Sequence, residues 1–364
     1  MQTMKLKKED GSVVEIQAVW LDEEEPGKLH FIDQRFIPFK IGVLTSRGPE
    51  ETATFIRDMV TRGAPSIGAA GAYGIVQSAF THRSQSPNER LEAIKTDAKT
   101  LVNARPTAVD LHNCVNEMLE AVIQCNAQLE LLIEQSHRIV NQIIQECRQI
   151  AETGVKVVKK GMNILHHCHT GALATVDVGT ALSIPILAHK QGLDVHVYVN
   201  ETRPRLQGGR LTAWELTQEG VPHTVIADSV AASLMRRGEV DLVLVGADRI
   251  AMNGDVANKI GTYSLAVLAS HHTIPIYSVA PWSTFDTQLQ TGDDIPIEER
   301  SRKEVRQALS DDLTYHPIIN QSSPVHNPAF DVTPNELLTG IITPGQILHP
   351  PLVEAIANHR KQLD

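Results

Sequence analysis

The stretch Leu242–Ala269, LVLVGADRIAMNGDVANKIGTYSLAVLA, decides how the chain is read. Leu242 to Val245, with the preceding Val240, have the length and β-branching of a strand buried on both faces, and they stop at Gly246-Ala247-Asp248. An aspartate is thereby left at a strand tip. After the polar turn Asn253-Gly254-Asp255, the segment from Asn258 reads as a helix, with Ile260, Ser264 and Val267 on one face and Lys259 near its start. Ligands of open α/β sheets bind at the carboxyl ends of the strands, so Asp248 and the pair Asn258-Lys259 converge on the expected working place. The plainer reading of Asp248 is a turn residue capping the next helix.

Outward from this stretch the grammar is strand then helix, repeated. Met162 to His167, Val195 to Val199, His223 to Ala227 and Ile274 to Val279 read as strands. Thr170 to Lys190, Thr212 to Glu219 and Val230 to Arg237 read as the intervening helices. Such alternation predicts a parallel sheet flanked by helices with right-handed crossovers. No G-x-G-x-x-G follows any of these strands, which argues against a nicotinamide or flavin site. The tail Asn327 to Ile347 is rich in proline and turn residues and is expected to wrap back onto the ligand-binding edge.

Upstream, residues 1 to 45 alternate short apolar pieces with acidic turns, the pattern of a small antiparallel sheet. A helix from Glu50 to Met59 leads to Thr61-Arg62-Gly63-Ala64-Pro65-Ser66-Ile67-Gly68, where Pro65 sits at the start of a further helix. Gly68, Gly71 and Gly74 form a smooth stripe that suits tight helix packing. Arg62-Gly63-Ala64 instead offers a cation and freely oriented amides at a helix N-terminus, a phosphate cradle. Two helices follow, through Leu91 to Val102 and Val109 to Val122, joined at the corner Asn103-Ala104-Arg105-Pro106-Thr107; Arg105 there is either solvated or functional. A long helix, about Leu129 to Gly154, bridges to the second half. The expected domains are thus 1–150, a small β-sheet plus helices, and 151–364, an α/β domain with a parallel sheet.

A chain of 364 residues suits two domains. A net charge of −10 and 4% aromatic residues argue against a nucleic-acid groove, so any anion site is local. Cys114, Cys125, Cys147 and Cys168 show no C-x-x-C or zinc spacing, and reduced thiols in the cytoplasm are the simplest account. The N-terminal MQTMKLKKEDG has no apolar core and no apolar run approaches ~18 residues, so neither a secretory signal nor a membrane span is expected.

The strands empty into Cys168-His169-Thr170-Gly171, Asn200-Glu201-Thr202-Arg203, Asp228-Ser229, Gly246-Ala247-Asp248-Arg249 and Ala280-Pro281-Trp282. Cys168, at a strand tip just before an expected helix N-terminus, is where a helix dipole would favour the thiolate. The other three cysteines fit helical patterns as buried small hydrophobes. His166, His167 and His169 invite a metal reading, but neighbouring strand residues point to opposite faces and no second cluster supplies ligands, so no metal is expected.

With these residues in place, the chain resembles the methylthioribose-1-phosphate isomerases, within a wider family that includes regulatory subunits of a translation-factor exchange complex. The motifs are DQR from Asp33, TRGAPSIG from Thr61, HCHTGALAT from His167, NETRPRLQGGRLTAWEL from Asn200, GADRIAMNGDVANKIGT from Gly246 and NPAFDVTP from Asn327. The resemblance spans nearly the whole chain. It implies a helical N-terminal domain, a Rossmann-like C-terminal domain, a homodimer, and cofactor-free isomerisation of a small sugar phosphate in methionine salvage. It further implies that Arg62, Gly63, Ala64, Arg105, Gln207, Asn258 and Lys259 bind the sugar phosphate while Asp248 and Cys168 carry the chemistry. Where the family has Thr-His-Cys-Asn, this chain has His166-His167-Cys168-His169, a departure that bears on the thiol's pKa.

Asp248 is then expected to be the principal acid/base, raised by a dry setting at the strand tip, with Cys168 its partner across a small water-poor hollow. Two other readings share the fold: an isomerase of another pentose phosphate, such as ribose 1,5-bisphosphate or 5-deoxyribose 1-phosphate, and a non-catalytic regulatory subunit. The second does not need Cys168 and Asp248 together.

Overall fold

A computed structural model describes residues 4–7, 12–105 and 108–363. Pro106 and Thr107 of the interhelical corner, and residues 1–3 and 8–11 of the N-terminal run, lie outside the described residues. The chain divides into two compact units. One runs to Glu146 and takes back Ala172–Gly179; the other holds Cys147–Gly171 and everything from Thr180. The division at Glu146 falls inside the helix Leu129–Gly154. Residues 172–179, assigned from sequence to the second half, therefore belong with the first.

The N-terminal unit joins the antiparallel strands Val19–Leu21, Leu29–Ile32 and Val43–Ser46 to helices Pro49–Arg57, Ala64–Thr81, Pro87–Asn103 and Val109–Gln124. The helix Ala64–Thr81 is buried along nearly its whole length, and its glycine stripe explains how. A β-carbon on Gly68 would lie 2.9 Å from Cys114 Sγ, one on Gly71 2.6 Å from Leu111 Cδ1, and one on Gly74 2.9 Å from Leu101 Cδ1. Three neighbouring side chains thus use the space that β-carbons would fill.

The C-terminal unit is built on a seven-stranded sheet. Across it run Gln346–Leu348, Gly340–Thr343, Ile276–Val279, Leu242–Val245, Asn163–His167, His196–Asn200 and His223–Ile226. All neighbours are parallel except the first pair. Numbered in chain order, the six parallel strands lie three-two-one-four-five-six, the doubly wound order of dinucleotide-binding folds. Alternation along Leu242–Val245 gives each face its share. Val243 and Val245 pack with Leu234, Leu265, Ala269 and Ile356 on one side; Leu242 and Leu244 pack with Ile150, Ile184 and Ala188 on the other. Each such fully buried Val or Leu contributes about 1.5–3 kcal/mol.

Three expectations need correction. Thr170–Lys190 is not one helix: only Ala172–Ala174, as a single tight turn, and Ser183–Lys190 are helical. Val176 and Gly179 take left-handed backbone between them, with φ of 76° and 94°, as the segment 172–179 threads the first unit. Asn258 and Lys259 are not a helix start either. Val256–Lys259 is a strand, antiparallel to Arg249–Ala251 across a turn where Gly254 has φ 92°, and the helix begins at Thr262. The tail also does more than wrap back: it extends the sheet beyond Ile276–Val279 with the strands Gly340–Thr343 and Gln346–Leu348.

Candidate functional site

The strand order reverses between the first parallel strand, Asn163–His167, and the fourth, Leu242–Val245, which lie side by side with His167 opposite Val245. In open α/β sheets of this order, ligands bind beyond the carboxyl ends of the strands at such a reversal. Cys168 is the next residue on one strand; Gly246-Ala247-Asp248 continue the other. A β-carbon on Gly246 would fall 2.7 Å from Thr170 Cγ2, so the absent side chain lets the two exits pass closely. Asp248 opens the hairpin, its amide donating to the Ala257 carbonyl at 2.9 Å. Its side chain is exposed, so the dry setting expected at this tip is not what the protein provides.

Cys168 is buried, 7% exposed, and holds a left-handed backbone with φ 68°. Its N–H donates to Thr202 Oγ1 at 2.9 Å and its carbonyl accepts the Thr212 hydroxyl at 2.8 Å. No α-helix begins here, so the expected thiolate stabilisation by a helix dipole does not operate.

Each neighbouring histidine is engaged. Asn200 Nδ2 donates to His167 Nδ1 at 3.1 Å, so Nε2 carries the proton that the Ile260 carbonyl accepts at 2.9 Å. Burial lowers the His167 pKa, favouring this neutral form. Burial also pushes His166 down to about 3, and its Nε2 pairs with the Thr170 hydroxyl at 3.3 Å. His169 Nε2 meets Glu215 Oε1 at 2.9 Å in a wholly buried pair. Among the described residues no three His, Cys, Asp or Glu side chains form a metal-holding group.

Asn258 and Lys259 sit on the second strand of the hairpin. Asn258 is buried and donates to Thr262 Oγ1 at 3.0 Å. Lys259 Nζ donates to the Ala329 carbonyl at 2.8 Å and lies 4.7 Å from the centre of the Phe330 ring, a cation–π contact. The Asn258 side chain lies 3.9 Å from where a Gly246 β-carbon would stand, which ties the hairpin to the strand exit. Gln207 is buried, and one end of its amide has no hydrogen-bond partner. Oxygen and nitrogen are interchangeable in that assignment, so this end can meet either a hydroxyl or a phosphate oxygen.

In the N-terminal unit, Arg62 and Gly63 precede the helix Ala64–Thr81 and both are half-buried. Gly63 has φ 96°, and a β-carbon there would lie 2.3 Å from the Ala174 carbonyl oxygen, so only glycine fits. Ser66 fixes the passing segment 172–179: its hydroxyl donates to the Leu173 carbonyl at 3.2 Å and accepts the Val176 N–H at 2.9 Å. Gln34 Nε2 also donates to Leu173, at 2.8 Å. Arg105 is the second residue after the helix Pro87–Asn103, whose C-cap is Ala104, and precedes the helix Val109–Gln124. The space above Gly68 opens onto the Asp110 carbonyl, so the first turns of Ala64–Thr81 and Val109–Gln124 pack together.

Sequence reasoning missed Thr202, Thr212, Asp228, Glu215 and Asp331. Asp228 accepts the amides of Thr202 and Arg203, and Asp331 those of Gly261 and Tyr263. The visible signal was that Thr202 and Asp228 stand at strand ends; the partners of all five depend on distant pairings.

The model of the initiation factor 2 subunit family matches residues 60–350. A relative named methylthioribose-1-phosphate isomerase 2, from Pseudothermotoga lettingae, is 46% identical over 337 residues, covering 91% of this chain and 95% of its own. The methylthioribose-1-phosphate isomerase of Pelotomaculum thermopropionicum is also 46% identical, over 343 residues, 93% of this chain and 92% of its own. Among solved structures, the 5-methylthioribose 1-phosphate isomerase of Pyrococcus horikoshii superposes with a TM-score of 0.88 at 39% identity, covering 95% and 96% of the two chains. One described as translation initiation factor eIF-2B, subunit delta, from A. fulgidus gives 0.83 at 37%, covering 94% and 99%. The chain belongs to the initiation factor 2 subunit family and, within it, to the methylthioribose-1-phosphate isomerases.

Proposed function

We propose that the protein is an aldose–ketose isomerase that converts 5-methylthioribose 1-phosphate to 5-methylthioribulose 1-phosphate, a step of methionine salvage. The observation that supports it best is the pairing of strand exits: the thiol of Cys168 and the carboxyl of Asp248 leave adjacent strands at the switch point of the sheet. This comes together with 46% identity to isomerases along nearly the whole chain.

Phosphate on the anomeric oxygen stops the sugar from opening as a free aldose. In the isomerisation the C1–O4 bond breaks and O4 takes a proton. The hydrogen on C2 moves to C1, and the C2 hydroxyl loses its proton as C2 becomes the carbonyl. Asp248 serves as the acid/base. Its carboxyl is exposed on the free protein; the bound sugar displaces water from it and sets a phosphate nearby, which favours the protonated acid. Cys168 partners it, either taking the C2 proton or stabilising an enediol-like intermediate. Arg62, the amides of Gly63 and Ala64, Arg105, Gln207, Asn258 and Lys259 hold the sugar phosphate, and positioning counts for as much as proton transfer. The reaction runs without cofactor or metal, in the cytoplasm, on a homodimer.

The A. fulgidus neighbour keeps a second reading in play, a non-catalytic subunit that only binds a phosphorylated ligand. Turnover decides. The purified protein is given 5-methylthioribose 1-phosphate, ribose 1,5-bisphosphate and 5-deoxyribose 1-phosphate in separate assays, and the ketose product is followed. The methylthio sugar is expected to give the highest kcat/KM. A preference for the bisphosphate would reassign the substrate, and no turnover of any of the three by folded protein would favour the binding subunit.

A further inference from the structure

The turn that carries Cys168 is fixed by side chains to which the chemistry above gives no task. A left-handed backbone costs a residue other than glycine about 1–2 kcal/mol and persists only where the surroundings over-determine it. Here both backbone polar groups of Cys168 are taken by fully buried threonines: the N–H by Thr202 Oγ1 at 2.9 Å, the carbonyl by the Thr212 hydroxyl at 2.8 Å. The Thr202 hydroxyl donates to the Asn200 carbonyl at 3.0 Å, so the Cys168 N–H finds a lone pair rather than a proton. Thr202 is itself left-handed, φ 63°, and is secured by Asp228, whose two carboxylate oxygens accept the amides of Thr202 and Arg203 at 2.8 and 2.7 Å. On the far side, the helix that follows Thr212, Ala213–Gln218, carries the Glu215 that pins His169. The thiol therefore sits on a peptide fastened from Asp228 through Thr202, and again from Thr212.

We propose that Thr202 and Thr212 are positioning residues for the reaction: by fixing the Cys168 peptide they set the place of its thiol at the switch point, with Asp228 holding Thr202 in place. This rests on the proposed role of Cys168. Ordinary satisfaction of buried polar groups would make the same hydrogen bonds, but loosening them would then lower stability without selectively disturbing the thiol.

The test compares Thr202→Val and Thr212→Val with Thr202→Ser and Thr212→Ser. Valine removes the hydroxyl at nearly constant shape, and serine restores it. Two readouts are taken: kcat and KM on 5-methylthioribose 1-phosphate, and the rate of alkylation of Cys168 by iodoacetamide between about pH 6 and pH 9, followed on the Cys168 peptide by mass spectrometry. The valine variants are expected to lose about 10- to 100-fold in kcat at a KM within about twofold of the parent, with a displaced alkylation profile. The serine variants are expected to recover both. Valine variants with parental kcat and profile, or serine variants as impaired as the valine ones, would overturn the proposal. Should the valine variants not fold, Asp228→Asn loosens the same turn at one remove and is expected to lower kcat about 3- to 10-fold; an unchanged kcat and profile would again refute it. If the parent isomerises none of the sugars, the proposed function fails, and the alkylation profiles still decide whether the threonines govern the thiol.

Discussion

The carboxylate of Asp331 accepts the N–H of Gly261 at 2.7 Å, and with the Tyr263 N–H at 3.2 Å it closes the N-terminus of the helix Thr262–His271. That helix end, where a phosphate would otherwise be favoured, is thus filled by the protein's own anion. Strand pairing puts Asp331 opposite Asn258, which is how a residue seventy positions later reaches the cap. Burial pushes the Asp331 carboxyl up even though four amides hold its charged form. Asp331→Ala is expected to lower stability by about 1–2 kcal/mol, with Asp331→Asn intermediate. Urea midpoints check this, and an alanine variant as stable as the parent would mean that the cap contributes nothing.

Asp248 is exposed, so Asp248→Asn should leave stability within about 0.5 kcal/mol while lowering kcat about a hundredfold or more. Circular dichroism and steady-state kinetics separate the two effects. Parental turnover by the asparagine variant would remove Asp248 from the chemistry.

Arg105→Ala addresses phosphate binding. Losing a charge-assisted hydrogen bond of about 1.5–3 kcal/mol predicts a KM raised about tenfold or more with a smaller change in kcat. Titration calorimetry with substrate gives the same comparison at equilibrium; an unaltered affinity would place Arg105 outside the phosphate site.

His166 makes the C-terminal unit sensitive to acid. Its folded pKa, near 3, lies below the ordinary histidine value of 6.5, because burial disfavours the cation. A group depressed in this way contributes fully above the unfolded pKa, and its contribution is lost as pH falls from there towards 3. His167 acts in the same direction. Each histidine can steepen the loss by up to about 1.4 kcal/mol per pH unit. Urea midpoints should therefore drop between about pH 7 and pH 5, and His166→Thr should flatten that drop. Equal slopes for the two proteins would show that His166 is not buried uncharged.

Residues 242–245 illustrate what local sequence settles. Four apolar residues ending at a glycine can only be satisfied by burial on both faces, and packing with Leu265 on one side and Ile184 on the other realises it. The helix at Ala64, announced by Gly63 and Pro65, and the glycine stripe after it are equally local, since backbone freedom and missing β-carbons act wherever they stand. The exits of Cys168 and Asp248 from strands were legible for the same reason.

Other features needed partners tens of positions away. Strand order alone sets Cys168 beside the exit to Asp248, and no turn preference encodes that neighbourhood. Val256–Lys259 became a strand because Arg249–Ala251 and Phe330–Thr333 flank it, and those pairings outweigh a weak local helical preference. Residues 172–179 have helical spacing, yet hydrogen bonds with Ser66 and Gln34 hold them out of an α-helix. The left-handed Cys168, with its threonine supports, is unfavourable in isolation and exists only because the folded surroundings supply hydroxyls where its peptide groups point. Sequence by itself determined which residues stand at the strand ends; the tertiary structure decided which of those ends are neighbours and how each is held, because pairing energies between distant segments exceed any single residue's local preference.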